Sequence, residues 1–323
     1  MLLLPDCNAG AAFAFIDPFR AANYIRGQSL YLWKMLSLDG SPVICSNGAG
    51  IVVDGMMATD DTYDLVVINS SWAPERFQSP GLRNWLSRCA RNGATLAGID
   101  TGAFVLAGAG QMTGYRATVH YEHSAAFSEL FSNIVLEEVL YVIDRDRLSC
   151  CGGTAVTDLA LRLVQNHNGL ELANASAVYL FKGRHRMGNE AQIEHTREPV
   201  GYSMPEKLRE AVILMERNVE EPLSSGEIAG NINLSQRQME RLFKRHTGVT
   251  PVRYYINVRL DRARGLVTQT DLPLAQVASA CGFGTSEQFS RAYSSHFHIA
   301  PSRDRIEGRI PFQFRSYPTY IGV

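Results

Sequence analysis

A helix signature that occurs twice, beginning at Ser235 and again at Thr285, 50 residues apart, restricts the carboxyl-terminal part of the chain more than any other feature. In the stretch Ser235-Gln236-Arg237-Gln238-Met239-Glu240-Arg241-Leu242-Phe243-Lys244-Arg245-His246, Ser235 set three residues ahead of Gln238 makes a capping box. Such a box satisfies two orphan groups and marks a helix start. At about 100° per residue, Met239, Leu242 and Phe243 fall on one side and Arg237, Arg241, Lys244 and Arg245 on the other. One side is core and the other a basic ridge. Upstream, Ser224 and Glu227 repeat the box ahead of a short helix that runs into a tight turn. In the second copy a short helix within Leu272 to Phe283 ends at Gly282. Thr285 and Gln288 then form another box, with Phe289, Tyr293 and Phe297 facing inward and Glu287, Ser290, Arg291 and Ser294 outward. Residues 252–267 between the copies read as one helix, roughly 24 Å long at ~1.5 Å per residue. A rod of that length holds two helix-turn-helix units at a fixed separation, and two such units can enter successive major-groove turns about 34 Å apart.

Charge follows the same division. The formal net charge is only −1, yet residues 201–323 hold 16 basic and 12 acidic side chains, and the remainder holds 15 and 20. The second part suits phosphates and the first does not. At 323 residues and 46% hydrophobic content the chain can bury two cores. No apolar run reaches the 18 residues of a membrane span, and Met1-Leu2-Leu3-Leu4 meets Pro5 and Asp6 too soon to be a signal peptide. A soluble, cytoplasmic protein is the expectation. The cysteines at 7, 45, 89, 150, 151 and 281 lack C-x-x-C spacing, so they read as reduced, mostly buried thiols, with neither a metal site nor a cofactor expected.

Residues 1–190 alternate apolar runs with helical patterns. Strands are expected at 1–4, 31–36, 65–68, 95–99 and 139–143, and helical segments at 13–25, 80–92 and 104–108. Alternation of this kind predicts a doubly wound, flavodoxin-like α/β sheet, followed here by an all-α domain with two helix-turn-helix motifs. Ligands bind such sheets at the carboxyl ends of the strands. One run ends in Asn69-Ser70-Ser71-Trp72, and another in Asp100-Thr101-Gly102-Ala103-Phe104, a strand turning directly into a helix as in a nucleophile elbow. Further on, His120-Tyr121-Glu122-His123 gathers imidazoles and a carboxylate. Gly152-Gly153 could allow close approach of a ligand or close helix packing. The boundaries expected are a sensor domain at 1–190, a linker at 191–202, a DNA-binding domain at 203–308 whose first helix is capped by Ser203 and Glu206, and a tail at 309–323.

The carboxyl-terminal residues resemble the DNA-binding domain of the AraC/XylS family of transcription regulators over about 100 residues: Leu234 to Phe243, Gly248, Pro251, Arg259-Leu260, Ala263-Arg264, Cys281-Gly282-Phe283, Phe289-Ser290-Arg291 and Pro301-Ser302. Where the family has Phe-Gly this chain has Phe297-His298, which bears on the turn before Pro301. By that resemblance the base-contacting face is Arg237, Glu240 and Arg241 in the first reader and Glu287, Gln288 and Arg291 in the second. Lys244 and Arg245 extend the basic ridge. Arginine can read guanine and glutamate can accept from cytosine N4. The first half resembles the class I glutamine amidotransferase-like superfamily, in its ThiJ/PfpI branch, through Asp17-Pro18, Gly98 to Ala107, Gly114 to His120, and Gly152-Gly153-Thr154-Ala155 with Asp158.

Catalytic members of that superfamily carry a cysteine at the elbow, and this chain carries Asp100. A carboxylate attacks only special electrophiles. Three roles for Asp100 therefore stay open: an anion contacting a cationic ligand, a helix N-cap, and a covalent nucleophile. The candidate ligand set is Asp100, Thr101, Ser70, Ser71, Trp72, His120, Glu122 and Asp17, because carboxylates with aromatic faces suit guanidinium or quaternary ammonium groups. The resemblance implies the subgroup that answers to arginine, betaine, carnitine and similar amines. The expectation is a ligand-responsive regulator, an activator and homodimer without enzymatic activity, whose partners are double-stranded DNA and an amine, amino-acid or betaine-like effector. The alternative is an amidase- or hydrolase-like enzyme with an accessory DNA-binding module.

Overall fold

The computed structural model describes residues 1–57, 62–183, 186–192 and 205–307. The chain divides into two compact units, the first running to Gln192 and the second beginning at Ile193. In chain order the strands of the first unit are β1 (Leu2–Leu3), β2 (Leu36–Ser37), β3 (Val43–Ile44), β4 (Gly50–Ile51), β5 (Gly55–Met56), β6 (Leu65–Ser70), β7 (Thr95–Asp100), β8 (Arg116–Ala117), β9 (Val135–Leu136), β10 (Tyr141–Asp144) and β11 (Arg147–Cys150). Its helices are α1 (Ala9–Arg26), α2 (Pro80–Arg91), α3 (Gly102–Gly108), α4 (Ser124–Leu130), α5 (Ala155–Asn168) and α6 (Leu170–Tyr179).

Among the described residues a seven-stranded sheet runs in the order β10-β11-β7-β6-β1-β2-β5. All its pairings are parallel except β10 with β11. Parallel central strands are covered on both faces and so read as apolar runs. Val67, Ala97 and Ile99 pack with Phe15 and Phe19 of α1, Leu159 and Leu163 of α5, and Leu172 of α6. Val66, Ile68 and Leu96, on the alternate positions, must face the opposite way, the side where α3 meets β6 and β7. From β1 the chain winds outward to β2 and then returns to β6 on the other flank, which puts the topological switch point between β1 and β6.

Several expectations are corrected. Residues 31–35 are not strand: Leu32 and Trp33 are exposed, and Tyr31 instead holds Asn23 through backbone bonds and tilts against Phe19. An apolar run without a strand to pair with stays irregular. Val139 forms an isolated bridge to Ala191 rather than starting β10. The missed strand β11 lies in the sheet interior beside β7, hidden in the sequence by the buried but polar Arg147 and Ser149. Of the expected linker, Ala191 and Gln192 are bound to the first unit. Residues 193–202, the Ser203 cap and the tail at 309–323 lie outside the described residues.

The second unit is helical: α7 (Glu206–Arg217), α8 (Ser225–Asn231), α9 (Gln236–Thr247), α10 (Pro251–Gln269), α11 (Leu274–Ala280), α12 (Ser286–Phe297) and α13 (Pro301–Glu307). Its N-caps follow the sequence. Ser224 and Ser235 form complete capping boxes with Glu227 and Gln238, and Thr285 accepts from the Gln288 amide. The 19 residues of α10 make a rod about 28 Å long. Tyr254, Val258, Leu260, Ala263 and Leu266 are buried on it. The buried Asp304 carboxylate is paired with Arg264 at 2.9 Å and accepts the Tyr293 hydroxyl at 2.7 Å. Burial, and then that bond, push the Tyr293 hydroxyl well above its ordinary range. After α12, His298 occupies the family's glycine position in the left-handed conformation, φ 58°, and its N–H bonds the Ser294 carbonyl. The turn before Pro301 is kept, at a backbone cost glycine would not incur.

Candidate functional site

Two sets of side chains are placed for chemistry, one in each unit. In the second unit, Met239 and Phe243 of α9 are fully buried while Arg237, Glu240, Arg241, Lys244 and Arg245 are exposed. Among the described residues none of these four basic side chains is engaged in an ion pair, so their charge is directed to solvent or to a partner. Glu240 receives a long bond from Gln236, 3.4 Å. Phe289 and Tyr293 of α12 are likewise buried, and Glu287, Gln288 and Arg291 exposed. Left-handed residues, Asn233 and Gly282, turn the chain between the two helices of each pair. A Cβ at Gly282 would fall against the Val219 carbonyl and Pro222, so the second turn requires glycine for space as well. Each helix pair thus presents a capped helix whose outer face carries groups able to bond base edges and phosphates.

In the first unit the site grows from the elbow. Asp100 ends β7 with φ 62° and is 5% exposed. The turn depends on glycine on both sides of it: a Cβ at Gly98 would land on the Ala103 amide nitrogen, and one at Gly102 on the Ile68 carbonyl oxygen. Gly152 comes within van der Waals reach of Asp100, a Cβ there lying 3.1 Å from the Asp100 Cβ. That close approach accounts for Gly152 through packing against Asp100. The N-cap of α3 is Thr101, without a side-chain capping bond; its hydroxyl donates to the Ser71 carbonyl at 2.5 Å. The capping role for Asp100 is thereby removed. Burial instead pushes its carboxyl up to about 7, with side-chain hydrogen bonds from Asn8 and Ser71 pulling down and the charge of Glu122 pushing up.

The neighbours of Asp100 come from the carboxyl ends of three adjacent strands. Ser70 pairs with Asp100 in register. Asn69 donates to the Asn8 carbonyl at 3.0 Å, across the switch point. The Asn69 Oδ1 and Ser70 Oγ atoms are buried without a hydrogen-bond partner among the described residues, a costly state unless another group completes it. His120 donates its N–H to the Asp100 carbonyl at 3.2 Å and stacks on Tyr121, ring centroids 4.5 Å apart. Burial lowers its imidazole pKa, which keeps the ring neutral near neutral pH.

Not every expected residue joins this cluster. Glu122 is largely exposed, its carboxylate 3.9 Å from His120 Nδ1. Trp72 is half-buried in the loop after β6. Asp17 is half-exposed two turns along α1 and paired with Arg20 at 2.8 Å, so its charge is already answered. Asn8 and Asn69 were missed, although both follow or end strands at the sheet's carboxyl edge. So was the ion pair of Arg76 with Asp6, 2.6 Å, which ties the loops after β6 and β1. The six cysteines are buried, and among the described residues no thiol is hydrogen-bonded to His120.

Comparison with known proteins agrees with both halves. Residues 228–306 match the helix-turn-helix domain family and residues 16–166 the DJ-1/PfpI family. The chain is 40% identical over 304 residues to the HTH-type transcriptional regulator CdhR of Pseudomonas aeruginosa, covering 94% of this chain and 90% of the relative. It is 37% identical over 313 residues to the regulator GbdR of Pseudomonas aeruginosa, 95% and 83% of the two chains, and 41% identical over 231 residues to the regulator ArgR of the same organism, 72% and 70%. A solved AraC family transcriptional regulator from Pseudomonas putida superposes with a TM-score of 0.50 at 28% identity, over 55% of this chain and 96% of that one. With a flavodoxin-like first half, paired helix-turn-helix units in the second, and full-length relatives named as regulators, the chain belongs to the AraC-type transcriptional regulators that carry a DJ-1/PfpI domain.

Proposed function

We propose that the first unit senses a small cationic or zwitterionic metabolite, an amine, amino acid or betaine-like compound, at the switch point around Asp100. Occupancy would alter DNA binding by the second unit, with the protein acting as a homodimeric activator. The observation that carries this reading is a buried carboxyl where catalytic relatives keep a thiol, beside two buried polar oxygens, Asn69 Oδ1 and Ser70 Oγ, that have no hydrogen-bond partner among the described residues. A cation entering the site would favour the ionised carboxylate and release a proton. Titration of the full chain with L-arginine and with glycine betaine tests this by calorimetry. Binding should weaken as pH falls below about 7 and drop at least tenfold in Asp100→Asn; equal affinity in the variant refutes an ion contact. Readers Arg237, Glu240, Arg241, Glu287, Gln288 and Arg291 are proposed to contact bases, and Lys244 and Arg245 phosphates.

The alternative, an amidase- or hydrolase-like enzyme with a DNA-binding module, draws on the elbow itself, since φ 62° is the strained turn that exposes nucleophiles. It requires the Asp100 carboxylate to attack. Release of ammonia from glutamine or a simple amide, lost in Asp100→Asn, would favour it over sensing.

A further inference from the structure

The chain leaves the first unit through residues 186–192, and this segment touches both loops that flank Asp100. At its start, the buried carboxylate of Asp158 accepts from the Arg186 amide at 3.0 Å and from Nε at 2.9 Å, and Arg186 also donates to the Thr154 hydroxyl at 2.9 Å. Thr154 directly follows Gly152-Gly153, the turn packed on Asp100. In its middle, the Tyr141 amide donates to the Gly188 carbonyl at 3.3 Å and the Leu140 amide to the Glu190 carbonyl at 2.9 Å. A side chain at Gly188 would meet the Tyr141 ring, so the register cannot slip there. At its end, the Gln192 side-chain amide donates to the Val119 carbonyl at 2.7 Å and the Thr118 hydroxyl at 2.8 Å. Thr118 in turn is held by Ser149 of β11 and by the Val139 carbonyl, and two residues on, the His120 amide bonds the Asp100 carbonyl.

The two ends are fastened unequally. Arg186 shares the buried Asp158 carboxylate with Lys182, which lies 3.3 Å from it, and its own charge-assisted bonds fasten that end. Gln192 is held by neutral hydrogen bonds, each contributing modestly after solvent exchange. We propose that this strap relays the state of the elbow to the start of the second unit at Ile193, with Gln192 as the positioning residue whose docking on Val119 reports how His120 sits on Asp100. The relay rests on the sensing role of the Asp100 site, and needs only that a ligand there favour one arrangement of the His120 loop.

Hydrogen exchange on the full chain tests the connection without any effector. Gln192→Ala should speed exchange of the His120 and Leu140 amides at least fivefold while the Val67 and Leu96 amides of the central strands stay unchanged, which also shows that the variant is folded. Gln192→Glu keeps the shape but, ionised, cannot donate, and should behave like the alanine variant; wild-type exchange in it would overturn a relay through donated bonds. Asp100→Asn should speed the Leu140 amide in turn. A His120 amide within twofold of wild type in Gln192→Ala would overturn the proposal. So would an unchanged affinity of that variant for a duplex selected by the wild-type chain from a random pool, where at least a threefold change is expected. If neither L-arginine nor glycine betaine binds while these couplings hold, the effector class fails and the relay stands.

Discussion

Asp100 carries the largest electrostatic consequence of a single position. Its carboxyl is held at about 7 against an ordinary 3.8, so the folded state binds the proton more tightly than the unfolded chain. Its contribution to stability is therefore complete below about pH 4 and lost as pH rises through about 7, by up to about 4 kcal/mol. Asp100→Asn has no such group. The thermal midpoint of the wild type should fall relative to the variant between about pH 4 and about pH 7, and parallel pH profiles would contradict the burial. His298 is the opposite case, a side chain where the backbone wants none. Relief of its left-handed strain in His298→Gly should raise the stability of the second unit by about 1 kcal/mol, read as a higher denaturant midpoint; a lower midpoint would mean the imidazole compensates. Asn8 and Asn69 show the limit of reading residues one at a time. Both are ordinary loop-edge asparagines in the sequence, and only the adjacency of β1 and β6 makes them neighbours.

The helices of the second unit were legible because each carries its own instructions. Capping residues, the apolar side and the terminating turn all lie within a dozen residues, so α9 begins at its complete box and α12 at Thr285, where only the Thr285 half of the expected box is made. Ser235→Ala removes the bond to the Gln238 amide and should cost about 1 kcal/mol of stability, with a matching loss of α9 protection in hydrogen exchange; no change would mean the first turn is held by packing alone. Arg241→Ala, on the exposed side of α9, should cost about 1–3 kcal/mol of specific DNA binding and relax preference at one base pair. An unaltered preference between sites would remove it from the reading face. Strands were harder. Of the expected strand at 31–36 only Leu36 enters a sheet, in β2, because residues 31–35 find no partner strand, while β11 escapes an apolar reading because Arg147 and Ser149 are satisfied inside by Gln111, Asp146 and Thr118.

For the molecule as a whole, two units with opposite charge share one chain: the acidic first unit gathers a buried carboxyl site, and the second exposes a basic ridge. Lys244 and Arg245, one exposed turn beyond Arg241, should each account for about 0.9 units of the slope of log affinity against log salt. The double replacement Lys244→Ala with Arg245→Ala should therefore flatten that slope by about 2, measured by fluorescence anisotropy on duplex DNA; an identical slope would place both side chains off the phosphates. The paired helix-turn-helix architecture, the α/β class of the first half and the missing thiol could all be read from residue order, because periodicity, caps and an elbow with two glycines are local properties. Which side chains surround Asp100, that Thr101 rather than Asp100 begins α3, and that residues 186–192 return to lie on the loops beside the elbow depend on strand order and on contacts between segments tens of residues apart. Long-range pairing is decided by the packed whole, and no local pattern encodes it.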